Sequence, residues 1–133
     1  GSREPDVYGQ ATHDDLVARC IEVGASLGLA VEVRQTDDEA ELIGWLHEAA
    51  DERVPVVLNP AAFTHYSYAV RDACALRTAP LVEVHLSNPA AREDFRHVSV
   101  VAAVADGTVA GFGIESYALA LRAVAPLAAG GQA

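Results

Sequence analysis

Three polar residues at alternate positions, Glu83, His85 and Ser87, interrupt an apolar run over residues 80–88. If that run is a strand, its period of two puts all three on one face, with Val84 and Leu86 on the other. A carboxylate beside an imidazole favours the protonated ring and fixes its orientation, as a general acid requires. The same spacing also suits a polar pair that satisfies itself at a sheet end. Asn59 ends a second apolar burst, residues 55–58, and so occupies the same kind of position. His65 follows Thr64 at the start of a predicted helix, where backbone amides favour anions or oxygen-rich ligands, although a lone His also fits a cap or a surface site. Arg92 and Arg96, four apart, share one side of a helical turn if that stretch is helical; their planar forks suit hydroxyls or carboxylates, or solvated salt bridges. Arg3 and Tyr8 share the polar N-terminal segment, and a guanidinium near a phenol lowers its pKa from about 10 by favouring phenolate, which makes a base. Asp72, beside Arg71 in an otherwise apolar helix, suits an exposed i to i+4 partner or an interface residue. The five His and two Cys show no spacing typical of a zinc site, and no Gly-rich phosphate loop occurs, so no metal is expected.

Positioning these residues requires a particular order of elements. Residues 1–12 carry two Gly, a Pro and mixed charge without period, the pattern of an exposed, mobile loop that would act as a lid. Thr12 then caps a helix with Leu16, Cys20, Val23 and Leu27 at helical spacing, ending at Gly28. Residues 29–36 alternate apolar and polar as a strand does. Asp37 or Asp38 opens a helix to about Asp51, with Trp45 read as core. Residues 55–59 and 80–88 are predicted strands ending in polar residues, separated by a helix from Thr64 to about Leu76. The run 98–105 is ambiguous by period, 108–112 fits a last strand, and 116–127 a closing helix. Strands alternating with helices predict a doubly wound α/β domain with a parallel sheet, whose ligands bind outside the carboxyl ends of the strands. In such a sheet a strand normally precedes the first helix, and residues 1–11 hold none. The expectation is therefore that the N-terminal strand is absent and that the chain is a fragment of a longer one or is completed by further residues.

At 133 residues the chain suits one domain, 1–133, burying roughly two thirds of its unfolded surface. A hydrophobic share of 51% against 21% charged excludes a disordered chain. Nine basic residues, all Arg, against nineteen acidic ones give a net charge of -10, which argues against nucleic acid or an anionic membrane as partner. An anionic ligand would need its own local Arg. Cys20 and Cys74 fall in predicted helices and read as buried thiols. No apolar run approaches the roughly 20 residues of a membrane span, and a cytoplasmic location is expected.

Taken together, Arg3-Glu4-Pro5-Asp6-Val7-Tyr8-Gly9, Arg34-Gln35-Thr36-Asp37, the stretch 58–67 (LNPAAFTHYS), Arg71-Asp72-Ala73, Glu83-Val84-His85-Leu86-Ser87-Asn88, Arg92 through His97, and Gly111-Phe112-Gly113 resemble the type II 3-dehydroquinate dehydratases. The motifs arrive in that family's order and cover essentially the whole chain. The resemblance implies a flavodoxin-like fold, no metal or cofactor, and a dodecamer built from trimers. It implies a lyase that removes water from 3-dehydroquinate to give 3-dehydroshikimate through an enolate, in the shikimate pathway of aromatic amino acid biosynthesis or in quinate breakdown. Tyr8 would be the base, with Arg3 holding it as phenolate, and His85 the acid, positioned by Glu83. Asn59, His65 and Arg96 would hold ring hydroxyls and the carboxylate, the amides of Leu86 and Ser87 would also meet the carboxylate, and Asp72 would reach a neighbouring subunit's site. The chain departs from the pattern in three places. The family's first strand, with its Asn-Gly-Pro-Asn-Leu stretch, lies upstream of Gly1; Val98-Ser99-Val100 stands where His-Ser-Tyr is common; and Ser116 stands where Gly is frequent. The competing reading is a noncatalytic flavodoxin-like small-molecule-binding module or an inactive truncated remnant.

Overall fold

A computed structural model describes residues 12–130. Arg3 and Tyr8, and with them the expected lid, lie outside the described residues. The described chain runs α1 (His13–Ser26), α2 (Glu39–Glu52), β1 (Val56–Leu58), α3 (Tyr68–Ala75), β2 (Leu81–His85), β3 (Gly107–Ala110) and α4 (Glu115–Gly130), with short 3-10 turns between them. The three strands form a parallel sheet in the order β1-β2-β3, with Val57 opposite Val82 and Val84 opposite Val109. Every residue of the central strand β2 is buried. Its alternation assigns the faces: Leu81 packs with Leu46 of α2 and with Val70, Ala73 and Cys74 of α3, whereas Val82 and Val84 pack with Ala120 and Val124 of α4. Helix α1 adds Cys20 and Val23 against Ala118 and Leu121. Helices thus cover both faces, the expected α/β architecture.

Local chemistry sets the helix ends. Thr12 and Asp15 form a reciprocal capping box, and the α1 C-terminus closes through Gly28 at φ 75 with Leu29 N–H on Gly24 O at 2.8 Å, a Schellman closure that the left-handed region makes easy only for Gly. Asp38 rather than Asp37 caps α2, accepting from Ala40 and Glu41 N–H. Helix α3 begins later than Thr64: residues 61–65 form a 3-10 turn, and Ser67 caps the helix proper through Val70 N–H. Both cysteines are buried, and burial first, then the negative charge of Glu83, pushes the Cys74 thiol up to about 11.

Two expectations need correction. Residues 29–36 form no strand: Leu29, Val31 and Val33 pack into the α1–α4 side while Ala30, Glu32 and Arg34 are exposed, yet no strand pairs with them among the described residues. Alternation reports which side chains are covered, whereas a strand needs a neighbour for its N–H and C=O groups. Trp45 is half-buried rather than core, with the Arg34 guanidinium 5.5 Å from its ring centroid.

Two stability tests follow from this packing. A Cβ on Gly24 would sit 2.3 Å from Val31 Cγ2 and 3.3 Å from Leu29 O. Overpacking against a rotamer-restricted Val costs about 1–3 kcal/mol, against a helix-propensity gain of about 1 kcal/mol. Gly24→Ala is therefore expected to lower Tm; a rise would show that the helix yields without cost. Asp106, just before β3, accepts from Leu81 N–H at 2.8 Å and Arg77 Nε at 3.2 Å. Burial by itself raises its pKa, but the Arg77 and Leu81 bonds outweigh burial and hold it below the usual carboxylate range. The stabilisation is present above the unfolded value of about 3.9 and is lost as pH falls through the lower folded value. The stability gap between Asp106→Asn and the unmodified protein in urea titrations should be widest at neutral pH and close in acid; a gap independent of pH would contradict this ion pair.

Candidate active site

Because the strands are parallel, their carboxyl ends share one edge of the sheet, and the polar residues that follow them share it too. There β1 runs into Asn59, β2 into Leu86, Ser87 and Asn88, and β3 into Gly111–Gly113, which Gly113 N–H ties back to Leu86 O at 3.0 Å. A cleft of about 200 Å³ opens at this edge, and Thr64, His65, Glu83, His85, Arg96 and Ser99 are among the residues lining it. Four of the expected site residues therefore converge.

The centre is the pair on β2. Glu83 is fully buried and His85 is 8% exposed, and His85 Nε2 lies 2.6 Å from Glu83 Oε2. Ser99 Oγ donates to the same Oε2 at 2.8 Å, while Oε1 is buried without a hydrogen bond among the described residues. A carboxylate only accepts, so Nε2 carries the hydrogen of that contact. Nδ1 is then the ring nitrogen without a protein partner among the described residues, on a ring that lines the cleft. A protonated imidazole held in this way can deliver its Nδ1 proton to a leaving oxygen.

His65 also lines the cleft. Its Nδ1 donates to Val98 O at 2.9 Å, its ring meets Phe95 edge-on, and its Nε2 has no protein partner among the described residues. Arg96 brings positive charge to the cleft; its Nε donates to Glu93 at 2.6 Å and its guanidinium lies over the Phe95 ring. That bond, the largest effect, holds the Glu93 carboxyl below its usual range. Asn59 is half-buried at the same sheet end, where its Oδ1 accepts from Ala61 N–H at 3.0 Å and its NH2 remains a donor. Leu86 and Ser87 are half-buried just beyond β2, and Ser87 Oγ accepts from Arg92 at 3.3 Å. Asp72 is exposed on α3 and is not among the residues lining the cleft. Among the described residues no group of three or more His, Cys, Asp or Glu is placed to hold a metal ion.

Sequence reasoning missed the cleft roles of Ser99 and Thr64. Ser99 sits in a stretch whose period favours no element, and only its place beside Arg96 and His97 hinted at the site. A wider depression of about 380 Å³, lined by His47, Asp51, Leu76 and Thr78, lies toward the opposite end of the sheet and contains none of the expected residues.

Comparison with known proteins bears on this arrangement. The family model described as "Dehydroquinase class II" matches residues 1–125. A 3-dehydroquinate dehydratase of Salinispora tropica is 63% identical over 94% of this chain and 87% of its own length, and one of Mycobacterium avium is 54% identical over 94% and 87%. The crystal structure of type II dehydroquinase from Propionibacterium acnes superposes with a TM-score of 0.91 at 58% identity, covering 94% of this chain and 86% of that one. A cleft at the strand ends built around a buried Glu–His pair, together with these matches along the chain, leads to one conclusion: the chain belongs to the class II dehydroquinases.

Proposed function

We infer that the chain is a lyase that eliminates water from 3-dehydroquinate to give 3-dehydroshikimate, the activity named for its relatives, and so serves the shikimate pathway. Family membership supports the activity, and the single observation that carries the mechanism is the 2.6 Å Glu83–His85 contact in the cleft. A noncatalytic binder or inactive remnant has no observation in its favour.

The reaction has two demands. The C–H bond beside the ketone breaks to leave an enolate, and the hydroxyl one carbon further departs only if protonated. Tyr8, kept as phenolate by Arg3, takes the carbon-bound proton. His85, oriented by Glu83, gives a proton to the hydroxyl as its C–O bond breaks; water leaves and the enolate electrons form the new double bond. Arg96, with the amides of Leu86 and Ser87, holds the substrate carboxylate; Asn59 and His65 hold ring hydroxyls. The local cations matter because a net charge of -10 repels an anionic substrate at long range. Asp72 reaches the site of a neighbouring subunit in a dodecamer built from trimers, and the enzyme works in the cytoplasm without a cofactor. Among the described residues no helix is long and apolar enough to cross a membrane.

Addition of 3-dehydroquinate to the full-length protein should produce the ultraviolet band of the conjugated product; a folded protein giving no such band would overturn the activity. Each well-placed proton transfer contributes about 10²- to 10⁴-fold, so His85→Ala and Tyr8→Phe should each lower kcat by that order with the circular dichroism spectrum unchanged. Normal turnover in either variant would reject that residue's role. Asp72→Ala should raise KM or weaken assembly, and an unchanged sedimentation profile with unchanged kinetics would remove it from the site.

A further inference from the structure

The hydroxyl of Ser99 has one donor and two acceptor positions, and all three are used. It accepts from Val101 N–H at 3.1 Å and Ala102 N–H at 3.0 Å, which leaves its own hydrogen for Glu83 Oε2 at 2.8 Å. The direction of this chain of bonds is fixed, because a hydroxyl whose lone pairs are occupied by two amides cannot accept a proton from a carboxylic acid. Its place is fixed as well. On one side Val98 O accepts from His65 Nδ1 at 2.9 Å, and on the other Val100 N–H donates to Thr64 O at 2.8 Å. Ser99 therefore rides on a segment bonded to Thr64 and His65, which line the same cleft.

Glu83 depends on this hydroxyl. It is fully buried, and among the described residues its side chain has hydrogen bonds from His85 and Ser99 alone, both on Oε2, with Oε1 unsatisfied. We propose that Ser99 is a positioning residue for the acid: its hydroxyl holds Glu83 as an accepting carboxylate and thereby locks His85 in the form that keeps Nε2–H on Glu83 and turns Nδ1 to the substrate. The proposal rests on His85 as the acid and adds a residue that touches neither the proton donated nor the atom receiving it. Without the Ser99 hydrogen, Oε2 is free to swing toward the side now occupied by Oε1, and the imidazole loses its fixed partner. A hydrogen bond to a buried charge is worth enough that its loss corresponds to about tenfold or more in rate when the orientation of the acid depends on it.

The test uses three variants and two readouts. Ser99→Ala should lower kcat about tenfold or more while KM stays within about twofold, and Ser99→Thr, which restores the hydroxyl despite an added methyl, should recover most of kcat. A role confined to packing would reverse that order, since Ala fits wherever Ser does and Thr does not, whereas a role confined to holding the Val101 and Ala102 amides would keep the order but leave the His85 tautomer unchanged. If Ser99→Ala does not fold, Ser99→Cys, close in shape but a weak donor, should show the same loss. Nitrogen-15 spectra of the His85 ring give the second readout without substrate: the unmodified protein should show the neutral ring protonated on Nε2, and the variant lacking the hydroxyl a mixture of tautomers. An unchanged kcat in Ser99→Ala or Ser99→Cys, a Thr variant no better than Ala, or a single unchanged tautomer would overturn the proposal. A silent unmodified enzyme would instead reject the activity itself, so the two failures are distinguishable.

Discussion

One contact organises the molecule: a carboxylate with no exposure to water, bound through one oxygen to an imidazole at the end of the central strand. Burying an ionisable group on a sheet is expensive unless it is hydrogen-bonded, and a strand covered on both faces is where that cost is largest. The rest of the site can be understood as what that placement demands. Parallel strands bring β2 to a shared edge with β1 and β3, the glycine-rich turn after β3 ties back to Leu86, and the 98–101 segment supplies the hydroxyl that Glu83 needs.

The alternation along residues 81–85 is legible in the sequence, because period two is imposed by the backbone and β2 keeps it without a bulge. Glu83 and His85 consequently fall on one face, and Val82 and Val84 pack on the other. A cap at Asp37 or Asp38 and the Gly28 closure were legible for a similar reason: they depend on residues within five positions. The family pattern added what spacing left open, the acid role proposed for the pair in place of a merely self-satisfied one.

Where the reading was incomplete, long-range partners decided the outcome. The 29–36 segment has a strand's alternation, yet pairing is settled by what lies beside it. Trp45 matched a core position, but it is half-buried under the Arg34 guanidinium, an encounter between residues eleven apart in sequence. Ser99 was invisible as a site residue because its meaning lies in three bonds, two of them to backbone, that no side-chain pattern encodes. Ser116, where the family often has Gly, is explained by contact: its hydroxyl accepts from Phe112 N–H at 3.0 Å and so supports the turn after β3.

The burial of Glu83, whose Oε1 has no partner among the described residues, has an evolutionary consequence. A buried ionisable group kept for the proposed role marks a position where durability and turnover pull apart. A library of this protein screened for heat resistance alone would drift toward apolar residues at 83, gaining robustness as the chemistry vanished, whereas a screen that also rewards product would leave the position invariant and seek its gains elsewhere.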